Sequence, residues 1–216
     1  MRHQFSEELL VSAANDGVDQ VVILGAGLDS FALRNPDIVS ELRFFELDHP
    51  NTQSWKLNRI AELCLVRPDI HYLTIDFQTE DIKEILIAGG VDFTQQIFFS
   101  WLGVTQYIDN AAAARTLGLV IEAGAGSEII FDFIVASEEL DEHTNNINTF
   151  MADSSASRGE PWINTYSPEA LVRELGEIGF RRADRLTPEE AGHRYYRDQP
   201  ANIVPMQGFQ LMHATT

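Results

Sequence analysis

The sequence predicts an α/β protein, a single domain built on a doubly wound sheet of about seven mostly parallel strands. Three observations carry this prediction. Short apolar runs alternate with helix-length patterns, as they do when helices wrap a parallel sheet. The first run, Gln20-Val21-Val22-Ile23-Leu24, is apolar without alternation after Gln20, so it reads as a strand buried on both faces. It leads straight into Gly25-Ala26-Gly27-Leu28-Asp29-Ser30, and a glycine turn at the carboxyl end of a strand is where open α/β sheets bind ligands.

The remaining elements follow in order. Residues 5–16 have a helical pattern and precede the first strand. A second strand reads Arg43-Phe44-Phe45-Glu46-Leu47, and Pro50 suits the first turn of a helix running to about Val66. His71-Tyr72-Leu73-Thr74-Ile75 forms a third strand, with a helix near 79–88 behind it. Gln96-Ile97-Phe98-Phe99-Ser100 is the fourth, followed by an alanine- and leucine-rich helix over 109–123 that ends at Gly124. The fifth is Glu128-Ile129-Ile130-Phe131-Asp132-Phe133. Residues 136–166 are polar, with Phe150, Met151, Trp162 and Tyr166 as isolated large apolar residues. A connection this long reads as a lid or substrate loop. Ser167-Pro168 supplies an N-cap and a first-turn proline; Leu171, Leu175 and Ile178 share one face, and Gly179 ends that helix. Residues 181–186 and 208–213 complete the strands, with Thr187-Pro188-Glu189-Glu190 a capping box between them.

Length and composition set bounds. The 216 residues suffice for one domain that buries about 70% of its extended-chain surface. Hydrophobic residues at 44% and charged residues at 22% are ordinary for a globular protein. No apolar run of about 18 residues and no signal-peptide core is present, so no membrane partner is expected and a cytoplasmic location is the default. Thirty-three acids against 15 bases give a formal charge of −18. Such a surface repels phosphate backbones, which argues against nucleic acid as a partner. Cys64 is the single cysteine; it excludes an internal disulfide and, from its neighbours Ile60 and Leu63, reads as a buried structural thiol. The six histidines show no paired ligand spacing, so no metal site is expected. No GxSxG elbow is present, which argues against an α/β-hydrolase.

The glycine turn carries more information in its context than alone. A nicotinamide fingerprint needs a third small residue where this chain has Ser30. A pyrophosphate has no use for a carboxylate inside the turn, whereas Asp29 suits an ammonium or sulfonium. Glu46 and Asp48, flanking Leu47 at the end of the second strand, can accept from ribose hydroxyls. Asp76, just past the third strand, is placed for an adenine amino group, with Phe77 to pack on the ring. Each acid alone reads as a solvated loop or capping residue. Three at successive strand ends of one sheet point to a nucleoside site for a cationic cofactor, as S-adenosylmethionine is.

The segments GAGLDSFALR, FFELDHPNTQSWKLNRI, TIDF and FFSWLGVTQYI, in that order, resemble the bacterial S-adenosylmethionine-dependent methyltransferases related to leucine carboxyl methyltransferases. GEPWINTYSPEALVRELGEIGF and the later RYY resemble that family's C-terminal part, so the similarity spans nearly the whole chain. The resemblance implies a class I methyltransferase (Rossmann-like) fold whose last strand is antiparallel. It implies that Gly25, Ala26 and Gly27 line the methionine part of the cofactor, that Asp48 holds the ribose with Glu46 and Leu47 nearby, and that Asp76 and Phe77 border the adenine. Ser100, Trp101 and Leu102 form the wall beside the transferring methyl, and Arg2 matches an arginine expected to pair with the cofactor carboxylate. The chain departs from many relatives at Ser100-Trp101, where they carry Glu-Gly. It also starts at or after the end of a helical segment that relatives place before the residues matched by Met1–Glu8, so residues 1–17 are expected as a residual N-terminal helix.

The expected activity is transfer of a methyl group to an oxygen, carboxylate or hydroxyl, of a small-molecule acceptor. The cofactor carries the reactivity and the protein supplies alignment. A carboxylate acceptor is already ionised and needs no base; for a hydroxyl, His143, Tyr107 and Glu160 are the candidates. Trp101, Trp162, Phe150 and Met151 are read either as an apolar substrate wall or as core. Arg181, Arg182 and Arg185 read as an exposed strand face. Two other readings stay open: a nicotinamide-dependent oxidoreductase, and a family member that binds cofactor or a partner without catalysis. An N-terminal helix ordered over the pocket favours the enzyme.

Overall fold

The computed structural model describes residues 1–77, 79–197 and 207–216. Seven strands form one sheet: β1 (Gln20–Leu24), β2 (Arg43–Asp48), β3 (Ile70–Thr74), β4 (Ile97–Trp101), β5 (Glu128–Ile134), β6 (Arg182–Leu186) and β7 (Phe209–Thr215). Their order is β3-β2-β1-β4-β5-β7-β6. Strands β1 to β5 pair in parallel, while β7 runs antiparallel to both β5 and β6. This is the doubly wound, mostly parallel sheet with an antiparallel last strand that was expected. The order reverses between β1 and β4, and the crevice beyond their carboxyl ends is the natural ligand site of such a sheet.

Nine α-helices surround it among the described residues: α1 (Arg2–Asn15), α2 (Phe31–Arg34), α3 (Pro36–Val39), α4 (Pro50–Glu62), α5 (Ile82–Ala88), α6 (Asn110–Ile121), α7 (Glu142–Ala156), α8 (Pro168–Ile178) and α9 (Pro188–Tyr195). On one face α1, α2 and α3 set Phe5, Leu10, Phe31 and Val39 against Phe44, Phe98 and Ile130 of the sheet. On the other, α5, α6 and α8 set Leu86, Leu117, Val120, Leu171 and Leu175 against Phe45, Phe99, Phe131 and Phe133. The central strands are buried on both sides, which is why they are predominantly apolar.

Two features differ from the sequence reading. The segment 136–166, read as a lid or substrate loop, contains a helix that reading did not include: a 3-10 turn over Ser137–Glu139 leads into α7, fifteen residues long. The Asp141 carboxylate caps it by accepting from the Thr144 N–H at 2.9 Å. Its sequence EHTNNINTFMADSSA buries only Asn148 and Ser155, so it carries no apolar period for a reader to find.

Cys64 is exposed rather than buried. It sits at φ 55, just past the end of α4. The Cys64 N–H donates to Ala61 O and the Leu65 N–H to Ile60 O, both at 3.0 Å, which is the paired closure that usually places glycine here.

Candidate functional site

The glycine turn departs from β1 with Gly25 at φ 67 and Gly27 at φ 49, both in the left-handed region. A β-carbon on Gly25 would stand 2.5 Å from Val104 Cγ2, so the loop after β4 packs directly on the turn. The Ala26 N–H donates to Leu47 O at 2.9 Å, stitching the turn to the end of β2. Asp29 closes it: its Oδ1 accepts from the Phe31 N–H at 2.7 Å, and its Oδ2 lies 3.6 Å from His3 Nδ1. Burial works against the Asp29 charge, but His3 and the Phe31 N–H together hold its carboxyl below the usual aspartate value.

Asp48, at the end of β2, faces this turn. One of its oxygens accepts from the Gly27 N–H and the other from the His49 N–H at 2.6 Å. A carboxylate accepts about four hydrogen bonds, so each oxygen retains capacity for a hydroxyl donor. Glu46, two residues earlier on the same side of the strand, is 1% exposed and ion-paired with Lys56 of α4. Burial pushes the Glu46 carboxyl up to about 7 against the pull of Lys56, and Asp29 and Asp48 push it the same way. Beside it Gln53 Nε2 donates to Glu46 O at 3.0 Å and Leu73 O at 3.2 Å, bridging β2 and β3. Leu47 turns its side chain into the core on the opposite face.

The Asp76 N–H donates to Glu80 Oε2 at 2.8 Å, and Phe77 is half-buried against the core. With Trp101, Val104, Ile108 and Leu119, Phe77 lines a cleft of about 560 Å³ between α5 and α6. Trp101 is 1% exposed and stacks at a tilt on Phe131, 6.0 Å between centroids, so it is core and cleft floor at once. Val104 connects this cleft to the glycine turn.

The first turns of α1 close over the carboxyl ends of the central strands. Arg2 Nη1 donates to Asp132 Oδ2 of β5 at 2.7 Å, His3 reaches Asp29, and Ser6 Oγ lies 3.1 Å from Ser100 Oγ of β4. Leu102 packs on the α1 side of the sheet. The helix is fastened from behind as well: Arg194 and Tyr195, of the RYY segment, both donate to Glu8 Oε2, at 2.6 and 2.8 Å.

The sequence-predicted residues around the β1, β2 and β4 ends therefore come together, while Phe77 lines the cleft and Asp76 precedes it in the loop after β3. The structure adds Lys56, Asp132, Val104, His3 and Ser6. Lys56 had a readable signal: it lies ten residues after Glu46, on the helix returning along the same strand. Asp132 had none, because its partner Arg2 is 130 residues away in sequence. The base candidates His143, Tyr107 and Glu160 are all exposed. Of the other aromatic candidates, Phe150 is 74% exposed and Trp162 packs edge-on to Phe209, 5.3 Å between centroids. Arg182 pairs with Asp184, and Arg185 with Glu169 at 3.4 Å. Among the described residues no group of three or more His, Cys, Asp or Glu side chains is arranged to hold a metal ion, and no helix is long and apolar enough to cross a membrane.

The chain is similar to known proteins over most of its length. The model of the family described as leucine carboxyl methyltransferase matches residues 1–121. A Bacillus subtilis (strain 168) protein named "Putative S-adenosyl-L-methionine-dependent methyltransferase YktD" is 29% identical over 99% of this chain and 70% of its own length. A Frankia alni protein with the same type of name is 33% identical over 98% of this chain and 61% of its own. A solved structure described as a "putative O-methyltransferase" from Nostoc punctiforme superposes with a TM-score of 0.63 at 13% identity, covering 100% of this chain and 56% of that one. The likeness to that structure shows the class I methyltransferase fold. The chain thus spans 56% to 70% of the length of these three proteins. With its family model matched over more than half its length, the chain belongs to the leucine carboxyl methyltransferase family, a family of S-adenosylmethionine-dependent methyltransferases.

Proposed function

We propose that this chain transfers a methyl group from S-adenosylmethionine to an oxygen of a small-molecule acceptor, a carboxylate in preference to a hydroxyl. The observation that carries the reading is the convergence of four elements on one crevice: the glycine turn, Asp48, the loop after β4 and the first turn of α1. The residues fit the cofactor. Gly25 leaves room that a β-carbon would take from Val104, and the acids Asp29 and Asp48 complement a sulfonium and an ammonium. Gly25, Ala26, Gly27, Arg2 and the Ser100–Leu102 segment would hold the amino-acid portion, and Asp48 the ribose. Asp76 and Phe77 would border the adenine. When bound, the cofactor supplies an electrophilic methyl group; the chain's part is to orient it and exclude water. No nicotinamide is needed to account for the site, and Asp29 inside the turn opposes a pyrophosphate.

The preference for a carboxylate rests on the exposure of His143, Tyr107 and Glu160, which leaves no sequestered base among the candidates, while an ionised acceptor needs none. The family description, which names a carboxyl acceptor, points the same way. The segment 136–166, with α7 at its centre, covers the acceptor in this reading. With a formal charge of −18 the chain favours a small molecule over nucleic acid. The test is to supply methyl-labelled S-adenosylmethionine with panels of carboxylic acids and alcohols. The label should appear in products that mild alkali hydrolyses to volatile methanol. Alkali-stable products would put the acceptor among hydroxyls, and no product from either panel would count against O-methylation.

A further inference from the structure

Asp132 lies within β5 and is 4% exposed, yet its bonds run to the two elements that close the crevice. Its Oδ2 accepts from Arg2 Nη1 at 2.7 Å and its Oδ1 from the Gly103 N–H at 2.6 Å. Its backbone carbonyl accepts from Thr105 Oγ1 at 2.7 Å. The start of α1 and the loop after β4 thus share one buried carboxylate. The Arg2 guanidinium lies across Gly103, where a β-carbon would come within 3.5 Å of Nη1 and 3.6 Å of Nη2. Gly103 adopts φ +74, so this contact uses a residue with no side chain in a left-handed conformation. The next residue, Val104, is the one that packs on Gly25.

The two partners are unequal. The Arg2 side chain is 41% exposed and would be well solvated without a counter-ion, whereas Asp132 is at 5% and needs one. A chain gains little by burying an acid merely to pair an arginine that water already satisfies. It gains more if the arginine must be held at one place. A guanidinium presents five donors in a planar fork, and the bond to Asp132 uses one edge, leaving others for a second carboxylate.

We propose that Asp132 is a positioning residue for the amino-acid end of the cofactor. It holds the Arg2 guanidinium and the Gly103 N–H so that Arg2 meets the cofactor's carboxylate. This inference rests on the S-adenosylmethionine reading above and adds a residue that acts through Arg2.

The test compares two ligands by calorimetry: S-adenosylhomocysteine, and 5′-methylthioadenosine, which has the same nucleoside and thioether but no amino acid. Asp132→Asn keeps an oxygen for the Gly103 N–H and removes the charge that faces Arg2. It should weaken S-adenosylhomocysteine about tenfold to a hundredfold. It should leave 5′-methylthioadenosine unchanged to within about twofold. Arg2→Met should show the same selectivity, and the double variant should bind no more weakly than Arg2→Met alone, because one residue acts through the other. A purely structural role would lower the melting temperature and weaken both ligands together. Equal losses on the two ligands, additive losses in the double variant, or undiminished S-adenosylhomocysteine binding would overturn the proposal. If Asp132→Asn does not fold, Arg2→Met against the same two ligands decides, and unaltered selectivity there refutes it. A wild-type chain that binds neither ligand would instead remove the cofactor reading and this inference with it.

Discussion

At the residue scale the crevice is a problem of charge. Asp29 and Asp48 both act electrostatically on Glu46, and the Lys56 ammonium paired with it is buried at 4% exposure. Breaking a buried pair leaves the remaining charge uncompensated, so Lys56→Met should destabilise the fold by about 3–5 kcal/mol in urea unfolding. Lys56→Met combined with Glu46→Gln should recover most of that loss. The pH dependence has a definite sign. Glu46 is raised in the fold from 4.5 to about 7, so its protonated form favours the native state. That contribution is fully present below about 4.5 and is lost as pH rises through about 7. The wild type should therefore shed this stability between about pH 4.5 and pH 7, and the double variant should show a flatter profile. An unchanged slope in the double variant would mean that another group sets it. The acids of this cluster were legible because strand ends in a parallel sheet all open on one edge, and an acid there has few other tasks. Asp132 was not, since its role depends on a helix start 130 residues away coming to lie beside it, whereas Lys56 left a signal in its place ten residues after Glu46. Cys64 was misread because its apolar neighbours suggested burial, while the closure of α4 demanded a left-handed residue there.

At the scale of elements, the strands were readable and one helix was not. Strands β1, β4 and β5 are apolar because both faces are covered, and that signal depends on no partner's identity. Helix α7 rests on its caps and backbone, with little apolar surface to bury. The Asp141 cap was the one local mark of its start. The antiparallel course of β7 came from family resemblance, because a strand's direction leaves no mark in its own residues. Caps differ in weight. At α9 the full capping box is formed: Thr187 Oγ1 accepts from the Glu190 N–H at 3.2 Å, and Glu190 Oε2 accepts from the Thr187 N–H at 2.9 Å. The Thr187 N–H and hydroxyl hold the Glu190 carboxyl below its usual value. At α8 the N-cap Ser167 makes no side-chain cap bond and instead donates to Glu139 Oε1 at 2.7 Å. Thr187→Ala should thus cost about 1 kcal/mol, and Ser167→Ala clearly less, in matched denaturant titrations. Equal costs would mean that the capping box contributes nothing beyond a surface contact.

At the scale of the whole molecule, the sheet order places β1 beside β4, and α1 ties the resulting crevice together from Asp29 to Asp132. The helix is itself fixed at its back by Arg194 and Tyr195 on Glu8, contacts 186 and 187 residues apart in sequence. In the function proposed above, a formal charge of −18 opposes phosphate backbones and the acids inside the crevice complement a cationic cofactor. Family membership supplies the chemistry, and we propose the crevice as its place. The central claim is that this crevice binds S-adenosylmethionine through Asp48, and calorimetric titration with S-adenosylhomocysteine tests it most directly, with NADH and an Asp48→Ala variant run beside it. The account predicts micromolar binding of S-adenosylhomocysteine that disappears in Asp48→Ala, and no heat with NADH. A folded wild-type chain that binds NADH instead, or S-adenosylhomocysteine equally well without Asp48, would contradict it.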